Sequence, residues 1–125
     1  MDKVVHFEIP ADDTARAREF YGAVFEWNLQ PMQGYDYTLA LTTRVDQKTQ
    51  MPTEPGAING GIRQRTAETP TPVIVISVDS VDQSLKKIEA EGGSTVVPRT
   101  EMGGMGAYAY FKDPEGNIVG LWESM

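Results

Sequence analysis

Val4-Val5-His6-Phe7-Glu8-Ile9 runs through Asp12-Asp13 into a helical stretch, and Val73-Ile74-Val75-Ile76-Ser77-Val78 runs through Asp79 into a second one. In the first segment the apolar Val5, Phe7 and Ile9 alternate with His6 and Glu8, the period-two pattern of a strand with two unlike faces. Each copy then continues through a glycine-containing helix exit into short strands. The second closes on Asp113-Pro114-Glu115-Gly116-Asn117, a hairpin turn in which proline fixes φ and glycine takes the positive-φ position. A strand-helix-strands unit told twice predicts an α+β fold of two βαβββ modules: an open, cupped, barrel-like sheet of eight strands with the helices outside. A concave inner face of that kind implies a binding site.

Working outward, α-helical spacing recurs at Ala17, Phe20, Tyr21 and Val24, with Asp12 or Asp13 as the cap, and again at Val81, Leu85 and Ile88, with Gly92-Gly93 as the stop. Strands are expected near 27–32, 37–43 and 57–64 in the first module and near 95–98, 107–112 and 117–123 in the second. Residues 1–65 form the first module, 66–72 a proline- and threonine-rich linker, and 73–125 the second, together making one domain. The polar stretch 44–55 reads as a long exposed loop.

Composition narrows the function classes. The chain has 125 residues and a net charge of −7, which argues against nucleic acid, because a phosphate-tracking surface needs Lys and Arg. No apolar run reaches the roughly 18 residues of a membrane span, and the N-terminus enters a strand without a signal-peptide pattern, so a cytoplasmic location is the expectation. With no cysteine, disulfides, thiolate catalysis and cysteine metal sites are excluded. His6, the sole histidine, and the carboxylates and hydroxyls remain as the available chemistry.

The opening His6-Phe7-Glu8-Ile9-Pro10-Ala11-Asp12-Asp13 with Phe20-Tyr21 and Phe25-Glu26-Trp27 resembles the first module of the vicinal oxygen chelate superfamily, which includes glyoxalase I, extradiol dioxygenases and bleomycin-resistance proteins. The Gly92-Gly93 exit and the ending Phe111 to Glu123 resemble its second module. The resemblance implies this fold, a homodimer and, in the metal-using members, a divalent ion held in the cup. His6 stands at a ligand position of that family, whereas Val73 or Ile74, Gly60 and Gly120 stand at the others and cannot bind a metal. A lone imidazole would hold a divalent ion only weakly, so no cofactor is expected.

Several residues are candidates for the site. Strand alternation places Glu8 beside His6, where the two suit proton transfer, or a hydrogen bond and a solvated carboxylate of no further function. Trp122, with Gly120 giving room at its side, suits an aromatic wall. Tyr108 and Tyr110 share one strand face, either lining the cup or packing at a dimer seam. Gly60-Gly61 opens space or marks a bulge, and Met102 and Met105 sit in the glycine-rich 101–106 segment, a flap beside the pocket or a plain surface loop. The reading favoured is a glyoxalase/bleomycin-resistance-like protein that binds a small molecule without the family's metal. The rivals are a glyoxalase-like lyase or isomerase using His6 and Glu8 or a non-standard metal site, and a partner-binding module with a vestigial cup.

Overall fold

A computed structural model describes residues 1–125 and divides them into two compact units, His6–Pro72 and Val73–Met125 with Met1–Val5. Strand β1 (Lys3–Ala11) contributes to both, and its residues from His6 onward belong to the first.

In the His6–Pro72 unit, helix α1 (Thr14–Phe25) follows β1, and strands β2 (Asn28–Pro31), β3 (Tyr37–Leu41) and β4 (Asn59–Gln64) complete a sheet of order β2-β3-β4-β1. β4 runs antiparallel to β3 and parallel to β1, with Phe7 opposite Gly60 and Glu8 opposite Gly61. Asp13 caps α1 by accepting from the Arg16 amide at 3.0 Å, and the helix ends on Glu26 in the left-handed region at φ 60°. The helix covers the face of the sheet that carries Phe7 and Thr38. Arg18 donates to the Thr38 hydroxyl at 3.4 Å, and Trp27 lies against both Tyr21 and Phe7, at 5.0 and 5.6 Å between ring centroids. Ile62 and Ala40, on that same face, are fully buried.

In the other unit, β5 (Val73–Ser77), helix α2 (Val81–Ala90), β6 (Ser94–Met102), β7 (Gly106–Lys112) and β8 (Ile118–Ser124) give the order β5-β8-β7-β6. Ser80 caps α2, its side chain accepting from the Gln83 amide at 3.2 Å. Gly92 takes φ 100° and the Gly93 amide donates to Ile88 at 2.9 Å, the left-handed stop that the glycine pair predicts. Val81 and Leu85 of α2 pack with Val78, Ala109, Phe111 and Leu121, while Val73, Val75 and Tyr110 gather on the opposite face. Sequence and structure agree on eight strands and two helices in two βαβββ modules.

Local hydrogen bonds shape three connecting segments. The 66–72 stretch, which joins β4 to β5, is internally hydrogen-bonded. The Thr66 and Thr69 hydroxyls are 2.8 Å apart, Thr69 is buried, and Arg65 donates to the Pro70 carbonyl. Within 44–55 the Asp46 carboxylate accepts from the amides of Lys48 and Thr49, and Val45 bridges Pro52. The flap expected at 101–106 is the tip of a hairpin, because β6 and β7 stay paired up to Met102 and Gly106.

Candidate functional site

In the His6–Pro72 unit the face turned away from α1 carries His6 and Glu8 on β1, Tyr37 on β3, and Gly61 and Arg63 on β4. Nε2 of His6 and the hydroxyl of Tyr37 lie 2.6 Å apart, and their rings are nearly parallel, 14° apart in plane. Tyr37 is in register with Arg63, one same-face position beyond Gly61, so its ring must cross Gly61 to reach His6. A Cβ on Gly61 would run into the Tyr37 hydroxyl and ring carbons. Glycine at this position therefore creates the His6–Tyr37 contact.

Glu8 is buried, 8% exposed, and pairs with the Arg63 guanidinium at 3.7 Å. Burial lowers the pKa of His6 below its ordinary value, and the neighbouring Glu8 charge opposes that shift only in part. The imidazole is therefore neutral at neutral pH and able to accept or donate one hydrogen bond at Nε2. Asn59, on the same face, is committed to structure, since its side-chain oxygen accepts from the Thr42 and Thr43 amides at 2.8 and 3.1 Å.

Gly60 does not line this face. A Cβ there would stand 2.5 Å from Phe7 Cδ2, on the side covered by α1, so the residue permits close packing of Phe7 and opens no room for a ligand. Its neighbour Gly61 faces the site.

In the second unit the face turned away from α2 carries Tyr108, Tyr110, Gly120 and Trp122, as strand alternation requires. Tyr108 is in register with Trp122 and Tyr110 with Gly120, and the two tyrosine rings meet edge to face at 5.8 Å. Gly120 does not leave an open space beside the indole. A Cβ there would find Val75 Cγ2 at 3.1 Å and Tyr110 Cε1 at 3.4 Å, so the gap is already filled by core side chains. The glycine that admits the Trp122 ring is Gly106, whose Cβ would stand 2.7 Å from Trp122 Cζ2. Tyr110 is 4% exposed and belongs to the core cluster with Val73 and Val75. Met102 and Met105 sit at the β6–β7 hairpin tip, with Met105 exposed and its carbonyl accepting from the Met125 amide.

His6 Nε2 is taken by Tyr37, Glu8 is taken by Arg63, Val73 is a core residue, and no group of three or more His, Asp or Glu is arranged to hold a metal.

Tyr37 and Arg63 were not singled out by the sequence, and Gly61 only as one of a pair. The Gly60-Gly61 doublet was the available signal, but choosing between its members requires the register of β4 against β1.

Paired βαβββ modules, each with a helix on one sheet face and a candidate site or aromatic cluster on the other, define a glyoxalase-type chain. Residues 3–121 match the Glyoxalase/Bleomycin resistance protein/Dioxygenase superfamily, and the chain belongs to it. It is 29% identical over 121 residues to proteins of Mycobacterium bovis and Mycobacterium tuberculosis named "Putative glyoxylase CFP32", covering 94% of this chain and 44% of theirs. The chain thus spans less than half the length of these curated relatives. Among solved structures, a Streptomyces coelicolor methylmalonyl-CoA epimerase in complex with 2-nitronate-propionyl-CoA superposes with a TM-score of 0.65 at 15% identity, covering 98% of this chain and 96% of that one. A hypothetical protein, BH1468 of Bacillus halodurans, also gives 0.65, at 13% identity and 99% and 95% coverage. At these identities the structural likeness concerns the fold alone. No helix is long and apolar enough to cross a membrane.

Proposed function

We propose that this chain is a small-molecule-binding protein of the glyoxalase/bleomycin-resistance type that works without the family's divalent ion. Its ligand is held on the face of β1, β3 and β4 that carries His6, Tyr37 and Arg63. The observation that carries this reading is the 2.6 Å contact between His6 Nε2 and the Tyr37 hydroxyl. The nitrogen that would meet a metal is satisfied by a protein group, and the resulting pair is half-buried and polar, as a ligand-orienting group should be.

A thermal-shift screen of metabolites followed by calorimetry, run in parallel with chelator and with added zinc or nickel, tests it. Binding that survives chelator is expected. A ligand that binds only when metal is added overturns the metal-free reading, and failure of all ligands in both series overturns the binding reading.

A second reading is a lyase or isomerase that moves a proton with His6 and Glu8. The neutral imidazole beside a carboxylate supports it, because an unprotonated nitrogen is what a general base requires. Under that reading, His6→Gln abolishes turnover while leaving ligand affinity nearly intact.

A further inference from the structure

The Val73–Met125 unit carries an aromatic platform that the His6–Tyr37 face does not use. Trp122 of β8 lies across the neighbouring strand β7. A Cβ on Gly106 would stand 2.7 Å from Cζ2 and 3.0 Å from Cη2 of the indole, and Gly106 itself is buried. Nε1 of the indole donates to the Ser124 hydroxyl at 3.1 Å, which fixes the rotation of the ring. Trp122 nevertheless stays half-buried. A ring seated over a glycine and held at one edge is a stacking surface oriented before any ligand arrives, and such preorganisation lowers the cost of binding.

Hydroxyls flank the indole. Strand register places Ser77 of β5 on one side of Trp122 and Tyr108 of β7 on the other, with Thr100 of β6 beyond Tyr108. Side chains directly opposite one another in a sheet lie about 5 Å apart, so a ring laid on the indole reaches both immediate neighbours. All three hydroxyl residues are half-buried and meet solvent. No charged side chain stands in this row, nor in the adjoining rows Val75-Gly120-Tyr110-Val97 and Ser124-Gly106-Met102. Lys112, exposed and four residues from Tyr108 along β7, is about 13 Å away.

These neighbours decide the kind of ligand. An ionic molecule finds no opposite charge in the rows around the indole. A wholly apolar ring strips water from the hydroxyls and returns nothing, which costs about tenfold in affinity for each one left unsatisfied. A ring with an apolar C–H face and hydroxyls around its rim satisfies both the indole and its neighbours.

We propose that Trp122 is the stacking residue of a second binding site, which takes an uncharged sugar ring. The C–H face of a pyranose lies on the indole, rim hydroxyls bond to Tyr108 and Ser77, and Gly106 is a positioning residue that seats the indole. This goes beyond the function proposed above and is independent of it, since no group of the His6–Tyr37 face takes part.

The chain has two tryptophans, so its proton–nitrogen NMR spectra contain two indole N–H signals, and Trp122→Phe identifies the one from Trp122. The full chain is titrated with methyl glucoside, methyl galactoside and methyl mannoside. Glucuronate and glucosamine serve as charged counterparts, and anisole as a flat ring without rim hydroxyls. At least one methyl glycoside should shift the Trp122 signal saturably, leave that of Trp27 in place, and bind at least about tenfold more tightly than the charged sugars and anisole. Tyr108→Phe and Ser77→Ala, each removing one oxygen, should each weaken that binding about fivefold, the size of one neutral hydrogen bond.

Absence of a saturable shift with all three glycosides overturns the proposal, as do equal shifts of both indole signals or tighter binding of a charged sugar or of anisole. Unchanged glycoside affinity in either oxygen-deleted variant also overturns it, and if Tyr108→Phe fails to fold, Ser77→Ala carries the test alone. Every readout is taken at Trp122, so failure here leaves the reading of the His6–Tyr37 face standing.

Discussion

Val75 fills the space beside Gly120: a Cβ on the glycine would stand 3.1 Å from Val75 Cγ2, with Tyr110 and Val73 close behind. Gly120 is thus a packing residue of the β5-β8-β7 core, and the larger the side chain placed there, the more the valine and tyrosine must give way. Gly120→Leu should destabilise the protein by about 1–3 kcal/mol through overpacking. Denaturant titration of the two proteins measures this, and equal midpoints would show that an open cavity exists there after all.

A second prediction concerns Glu123. One carboxylate oxygen pairs with Arg99 at 2.9 Å and the other accepts from the Val81 amide at 2.7 Å, tying β8 to β6 and to the first turn of α2. The Arg99 hydrogen bond, followed by the Val81 amide, holds its pKa below the ordinary carboxylate value. A carboxylate lowered in the folded state contributes stability above its unfolded pKa and loses it as pH falls through the folded one. The stability gap between wild type and Glu123→Gln should therefore be present at neutral pH and shrink on acidification below the ordinary glutamate range. A gap that stays constant from neutral to acid pH would sink this assignment.

How far the sequence alone reaches is shown by particular residues. The strands opening each module were legible because alternation and turn chemistry are local, and so were both helices, with Asp13 capping the first and Gly92-Gly93 stopping the second as those residues suggest. The site was legible only on β1. His6 and Glu8 share a face by strand period, but the Tyr37 that completes the site lies 31 residues from His6, and nothing local announces the contact. The choice between Gly60 and Gly61 depends on the parallel register of β1 with β4, an offset of one residue that exchanges the two faces. In the second unit, the glycine and methionine content of 101–106 suggests mobility. Cross-strand pairing and the Met125 amide bond hold that hairpin tip in place.

Loss of the last strand should be fatal to folding. β8 lies between β5 and β7, pairing with both, and supplies Leu121 to one core cluster and Ile118 and Trp122 to the other. A unit of this size has little stability to spare. A chain ending at Glu115 should show no cooperative melt of the unit that contains β5 to β7. Retention of that transition within a few degrees of the full chain would refute the assignment. Shortening the exposed 47–51 turn should cost far less, since its backbone bonds are local.

The last prediction follows from burial of the only histidine. In the unfolded chain His6 titrates near its ordinary value of 6.5, and in the folded protein desolvation lowers that value, with Glu8 opposing only in part. Between the two pKa values the unfolded state binds a proton that the folded state does not, so stability must rise with pH through that window. The contribution is complete above about pH 6.5, where both states are neutral, and is lost as pH falls toward the folded value. His6→Gln removes the titrating group and should flatten this slope, while the slope due to Glu123, which lies at more acidic pH, should remain. Stability measured by denaturant titration at closely spaced pH values on both proteins gives the comparison directly. Superimposable slopes between neutral and mildly acidic pH would mean that the imidazole protonates as easily in the folded protein as in the unfolded chain, and that the His6–Tyr37 face is wetter than its packing indicates.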